Sequence, residues 1–161
     1  MELDRKQRLD EVARIAVRLE ADTGLPAEVL VAQWALESKW GQRPAGQANY
    51  FGIKKASRHE KCCIVTTHEV VNGRPVVATL EFADYRSLAD ACRDYAWLIT
   101  HGEPYRDAWM RYVQDKSVRN LVSGIARVYA TSPEYGQLAT RIAEQENVAR
   151  AIREARTKVT A

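Results

Sequence analysis

Two β-branched runs in "CCIVTTHEVVNGRPVVATLEF", Cys62 to Phe82, are parted only by Asn72-Gly73. Asn-Gly takes the two left-handed backbone positions of a tight hairpin turn, and between two strand-forming runs it is the strongest short-range hairpin signal. A two-residue turn also sets the register, pairing Val71 with Arg74, Glu69 with Val76 and Thr67 with Ala78. Around this hairpin the apolar spacing is helical.

From about Asp4 to Asp22, Leu9, Val12, Ala13, Ile15, Ala16 and Leu19 mark one face of an amphipathic helix, which "TGLP" then breaks. A second helix starts with Pro26 near its first turn and runs to Trp40, with Gly41 as its stop. "GQRPAGQANYFGIKKASRHEK" has no period and reads as a loop. Ser87 opens a third helix, with Asp90 as capping-box partner and Gly102 at its end. Further helical patterns cover Pro104 to Asp115, Val118 to Tyr129 and Pro133 to about Arg156. The expected fold is α+β, mainly helical, with a small β-hairpin lobe facing a helical lobe across a groove. Ligands bind in grooves of that kind.

At 161 residues, the chain 1–161 is expected to be a single domain. Its 46% hydrophobic and 28% charged residues are those of a soluble globular protein. A net charge of +3, evenly spread, selects no anionic partner, and nucleic acid is not expected. The most apolar stretch, Ala27 to Leu36, is broken by Glu28 and Gln33, so no stable membrane insertion is expected. The N-terminus has no secretory h-region, so synthesis in the cytoplasm without a signal peptide is expected. Three cysteines, Cys62, Cys63 and Cys92, are too few for a disulfide framework.

Within "AQWALESKWG", Glu37 stands on the apolar side of its helix, within about 40° of Gln33 and about 20° of Leu30 at 100° per residue. Its neighbours three and four residues away are Gln33, Trp34, Trp40 and Gly41, none of which neutralises it. An inward carboxyl without a cation is where a raised pKa is expected. Such a group stays protonated near neutral pH, which is what a general acid for a glycosidic oxygen requires.

"ALESKWG" followed by "NYFGIK" closely resembles the "ALESGWG" and "NLFGIK" signature of family 73 glycoside hydrolases, the β-N-acetylglucosaminidases that cut peptidoglycan. "T-x-E" in "TTHEVVNGRPV", "FADYRSL", and "YATSPEYG", which resembles the family's "YATDPNY", follow in the family's order from about Thr23 to Ile142. The resemblance implies a lysozyme-like fold and cleavage of the β-1,4 bond between N-acetylglucosamine and N-acetylmuramic acid. It implies Glu37 as catalytic acid, Glu69 as second carboxylate on the β lobe and Tyr129 as the tyrosine lining the cleaved subsite. Asn49, Tyr50, Phe51 and Gly52 match the loop that shapes the groove floor, and Tyr135 of "YATSPEYG" joins them as a substrate-binding candidate. Trp40, with Tyr50, is a candidate for stacking on sugar faces. Lys39 and Tyr50 replace the family's usual glycine and leucine, and Ser132 stands where aspartate is common.

Several alternatives stand beside this reading. Glu69 on a hairpin surface is open to being an ordinary strand glutamate, with Glu81 and Asp84 as lesser candidates for the second carboxylate. Tyr129 is open to being a core aromatic, and Trp34, Trp97 and Trp109 are assigned to packing. His59, Cys62, Cys63 and His68 have zinc-ligand types, but adjacent cysteines do not form the usual knuckle, so neither metal nor cofactor is expected. The expected partner is the peptidoglycan glycan strand, met by a monomer after release, as by a phage or prophage endolysin with a holin. A rival origin is the detached catalytic domain of an autolysin or flagellar rod-cap hydrolase. Lytic transglycosylase or muramidase-type cleavage and a non-catalytic wall-binding module are the rival functions.

Overall fold

The computed structural model describes residues 2–130 and 132–160, and the side chains of Glu69 and Thr160 lie outside that description. In order come α1 (Arg5–Thr23), α2 (Ala27–Ser38), β1 (Cys62–Val71), β2 (Arg74–Ala83), α3 (Leu88–His101), a 3-10 turn (Glu103–Tyr105), α4 (Arg106–Asp115), α5 (Val118–Tyr129), α6 (Pro133–Ala143) and α7 (Glu146–Thr160). Asp4 opens α1 with a capping box shared with Gln7, and Gly24 closes it in the left-handed conformation.

The central helix is α2, packed against α1, α3, α5, α6 and α7. Its residues from Val29 to Ala35 are all buried, as expected of a helix that is apolar all round. It ends two residues short of Trp40, because Lys39, Trp40 and Gly41 all have positive φ, of 50°, 58° and 82°. A Cβ at Gly41 would stand 2.7 Å from Cζ2 of Trp34, so both the conformation and the packing require glycine there.

The hairpin forms in the expected register, with Val71 opposite Arg74, Glu69 opposite Val76 and Thr67 opposite Ala78. One bridge from Lys54 to Phe82 adds a fragment of a third strand at its base. Beyond the base, Ile64, Val70 and Val77 are 70%, 75% and 65% exposed, so the hairpin stands clear of the core.

Four further expectations change. The pattern from Pro133 to Arg156 is two helices, broken at Glu144 and Gln145. The buried set shows why: Ala139, Ile142 and Ala143 share one stripe, but Val148, Ala151, Ile152 and Ala155 are out of phase with it. One straight helix would expose one of the two stripes. Pro104 lies in the 3-10 turn rather than in the helix that follows. At Ser87 the side chain accepts from the Asp90 N–H, but Asp90 pairs with Arg93 instead of closing a capping box. Finally, Trp97 is 44% exposed, with the Arg58 guanidinium 4.6 Å from its ring centroid, so it is no core residue.

Candidate active site

Glu37 lies in the last turn of α2 with its carboxyl half-buried. The Tyr135 hydroxyl, 98 residues on and in the first turn of α6, donates to Oε1. Gln33, one turn before Glu37 and 4% exposed, donates from Nε2 to the same hydroxyl oxygen at 2.5 Å. Burial raises the Glu37 carboxyl above the ordinary glutamate range, and the hydrogen bonds from Tyr135 and Gln33 only partly oppose it. This is the sign a general acid needs.

The loop after α2 brings Gly52 against the other carboxyl oxygen. Gly52 has φ +66°, and a Cβ there would sit 3.0 Å from Glu37 Oε2. Asn49 holds this loop in shape: its Nδ2 donates to the Ile53 and Ala83 carbonyls, and its Oδ1 accepts from the N–H groups of Phe51 and Ile53. Phe51 is fully buried and stacks on Tyr95, with ring centroids 4.5 Å apart. Asn49 and Phe51 thus build the loop from inside and have no face toward a ligand.

A cluster of tyrosines surrounds the acid. Tyr135 lies parallel to Tyr129 at 6.4 Å, and Tyr129 packs against Tyr105 at 6.1 Å. Burial, with a smaller contribution from the Glu37 charge, pushes Tyr105 up to about 12, and burial followed by the neighbouring tyrosines and Glu37 raises Tyr95 and Tyr129. The hydroxyls of Tyr95 and Tyr129 are buried without a protein hydrogen-bond partner among the described residues. Tyr129 is thus buried behind Tyr135, close enough for the Glu37 charge to act on it.

Other candidates fall elsewhere. Trp40 is half-buried against α1, with the Arg5 guanidinium 4.6 Å from its ring centroid and its carbonyl accepting from Arg8. Tyr50 lines a small cavity with Trp34, Gly41 and Leu88. Asp84 accepts backbone N–H groups from Gln47, Ala48 and Tyr85. Those three bonds outweigh its burial and hold its carboxyl below the ordinary aspartate range, so it is a clamp at the hairpin base. Glu81 is exposed on β2. The backbone at position 69 alternates in phase with Val65 and Thr67, while the Glu69 side chain and residue 131 of "YATSP" lie outside the described residues.

His59 accepts from the Ala56 N–H at Nδ1 and faces Asp94 through Nε2 at 2.9 Å. Tyr85 and Arg58 also donate to Asp94, so this polar hub ties the loop to α3. Among the described residues no three His, Cys, Asp or Glu side chains gather as metal ligands.

A mainly helical fold with a half-buried glutamate at the end of its central helix and one projecting β-hairpin is a lysozyme-like α+β glycosidase scaffold. Residues 13–148 match the glucosaminidase family model, described as mannosyl-glycoprotein endo-beta-N-acetylglucosaminidase, and the chain belongs to that family, glycoside hydrolase family 73. The "Peptidoglycan hydrolase FlgJ" of Salmonella typhimurium is 32% identical over 146 residues, covering 84% of this chain and 45% of that protein. A "Probable N-acetylmuramidase" of Lactococcus lactis is 29% identical over 150 residues, covering 88% of this chain and 34% of the relative. The chain thus spans less than half the length of these curated relatives. Among solved structures, the catalytic domain of the autolysin Auto from Listeria monocytogenes shares the fold at TM-score 0.76 and 24% identity, covering 94% of this chain and 89% of that one. A truncated glycoside hydrolase domain of Salmonella typhimurium FlgJ matches at TM-score 0.69 and 27% identity, covering 88% and 97%.

The motifs around Glu37 were visible in the sequence, but its two partners were not assigned these roles. Gln33 carried one usable signal, a buried amide one turn before the acid on the same helical face. Tyr135 carried only its place in "YATSPEYG".

Proposed function

We propose that the chain is a peptidoglycan hydrolase that cleaves the β-1,4 bond on the reducing side of N-acetylglucosamine, with Glu37 as the general acid. The single observation behind this is the half-buried Glu37 carboxyl, raised in pKa, hydrogen-bonded on one oxygen and left open by Gly52 on the other. Protonated Glu37 gives its proton to the glycosidic oxygen as the bond to the anomeric carbon lengthens. Glu69 is the second carboxylate in this reading. It serves as base for a water or as a counter-charge to the oxocarbenium-like sugar, and Tyr129, whose hydroxyl is buried in the free protein, supports the cleaved subsite from behind Tyr135.

Mass spectrometry of purified peptidoglycan after digestion tests the proposal. Fragments with N-acetylglucosamine at the new reducing end are expected. Muramic acid at that end would favour muramidase cleavage, the activity named for the Lactococcus relatives, and 1,6-anhydro ends would make it a lytic transglycosylase. Intact glycan bound without cleavage would make it a wall-binding module. Delivery as a monomeric, single-domain endolysin through a holin-opened membrane is part of the same proposal. Lysis from inside only when a holin is co-expressed is the outcome it expects.

A further inference from the structure

We propose that Gln33 is a positioning residue for the acid: it fixes the Tyr135 hydroxyl as a donor to Oε1 of Glu37 and so leaves the acid's proton on Oε2, the oxygen beside Gly52. The inference rests on the reading of Glu37 as general acid.

A phenol has one proton to give and lone pairs to accept with, and an amide nitrogen only donates. Gln33 Nε2 donates to Tyr135 Oη at 2.5 Å, which occupies an acceptor site on the phenol and turns its proton toward the next acceptor, Glu37 Oε1. A neutral carboxyl that accepts at one oxygen carries its own proton on the other. That other oxygen is Oε2, where Gly52 keeps open the space a Cβ would fill 3.0 Å away. The reverse polarity, with the Gln33 carbonyl accepting from Tyr135, would draw the acid's proton onto Oε1 and away from the space beside Gly52.

The relay is rigid at each point. Gln33 and Glu37 are one turn apart on the buried central helix, within about 40° of each other. The Tyr135 ring is held parallel to Tyr129 at 6.4 Å. Burial raises the Glu37 carboxyl, and Tyr135 and Gln33 each limit that rise, so removing either lets it rise further. A Gln33 that served packing alone would alter stability and leave the acid's titration where it was.

The test is Gln33→Met, which keeps the volume and removes the amide, followed by kcat and KM against pH on peptidoglycan and by carbon-detected NMR titration of the Glu37 carboxyl. The expected result is a fall in kcat of roughly tenfold, a fraction of the 10²- to 10⁴-fold typical of general acid catalysis. KM should stay unchanged, while the alkaline limb and the Glu37 titration move up together. Tyr135→Phe should produce at least the same shift, and adding Gln33→Met to it should change much less, because Gln33 acts chiefly through the missing hydroxyl. Unchanged titration in a folded Gln33→Met protein, or full additivity with Tyr135→Phe, overturns the proposal. Should Gln33→Met fail to fold, Gln33→Glu, which keeps the shape but puts an acceptor oxygen against Tyr135, must displace the Glu37 titration by at least as much, and no displacement overturns it equally. The titration needs no turnover, so failure of the peptidoglycan reading would show separately, as a wild-type protein that is inactive but still titrates with the shift.

Discussion

Glu37 ends a helix walled in by five others, whereas position 69 lies on a hairpin held only at its base. On the helical side the surroundings of Glu37 are built into the folded chain: Tyr135, itself held by Gln33, bonds one oxygen, Gly52 borders the other, and Asn49 pins the loop that carries Gly52. On the hairpin side the fastenings are Asp84, the Lys54–Phe82 bridge and the Asp94 hub, and beyond them Ile64, Val70 and Val77 face solvent. The difference teaches where preorganisation is concentrated. The Glu37 carboxyl is held in place by the folded chain, and position 69 depends on a lobe with few tertiary contacts, of the kind that closes around a ligand.

The largest effect should come from the rigid side. Glu37→Gln should abolish wall lysis, by at least about 10²-fold, because the amide fills the same space and has no proton to give. The same variant should be more stable than the wild type at pH 7. A carboxyl with a raised folded pKa holds its proton more tightly in the folded state, so it lowers stability progressively as pH climbs from 4.5, the ordinary glutamate value, through the raised one. The gain should therefore shrink as pH is lowered toward 4.5, which thermal melts in a pH series would reveal. An active and folded Glu37→Gln would sink the assignment.

Glu69→Gln should lower kcat less than Glu37→Gln, since water or the substrate's acetamido group can partly replace a base. Full activity on intact peptidoglycan would make it a plain strand glutamate. Gly52→Ala should come next: its Cβ crowds Oε2 and its φ of +66° disfavours any side chain, so kcat should fall with the fold retained at a cost of roughly 1–2 kcal/mol. A kcat equal to the wild type would show that the space beside Oε2 is not used. The smallest effect concerns Lys39, whose φ of 50° shows why glycine is usual there. Lys39→Gly should stabilise by at most about 1 kcal/mol, relief of strain being offset by the freer unfolded chain, and a lower melting temperature would contradict this.

The hairpin was readable to the residue because its turn chemistry is local and its register follows by counting. The start of α3 at Ser87 and the full span of α5 were readable for similar reasons. The split between α6 and α7 was present as a phase change after Ala143, but charged residues on both sides masked it. The acid itself was legible as a carboxylate on an apolar face. Its bond to Tyr135 was not, because no local rule joins residues 98 apart in sequence; only the packing of α6 on α2 brings them together. For the same reason Asp84, a candidate carboxylate by type, turned out to be a clamp: the N–H groups it accepts from at Gln47 and Ala48 lie on a loop far upstream.

The packing of α1 against α7 has a consequence for how the molecule is made. Arg156 reaches Glu20 at 2.7 Å and Arg150 reaches Asp10 at 3.4 Å, contacts between segments more than a hundred residues apart. During synthesis α1 emerges well before α7, the helix that packs against it, which is translated more than a hundred residues later. Until then that face of α1 is open to chaperones or to another nascent chain, so translation speed between the two helices sets how long the nascent segment is at risk of aggregation.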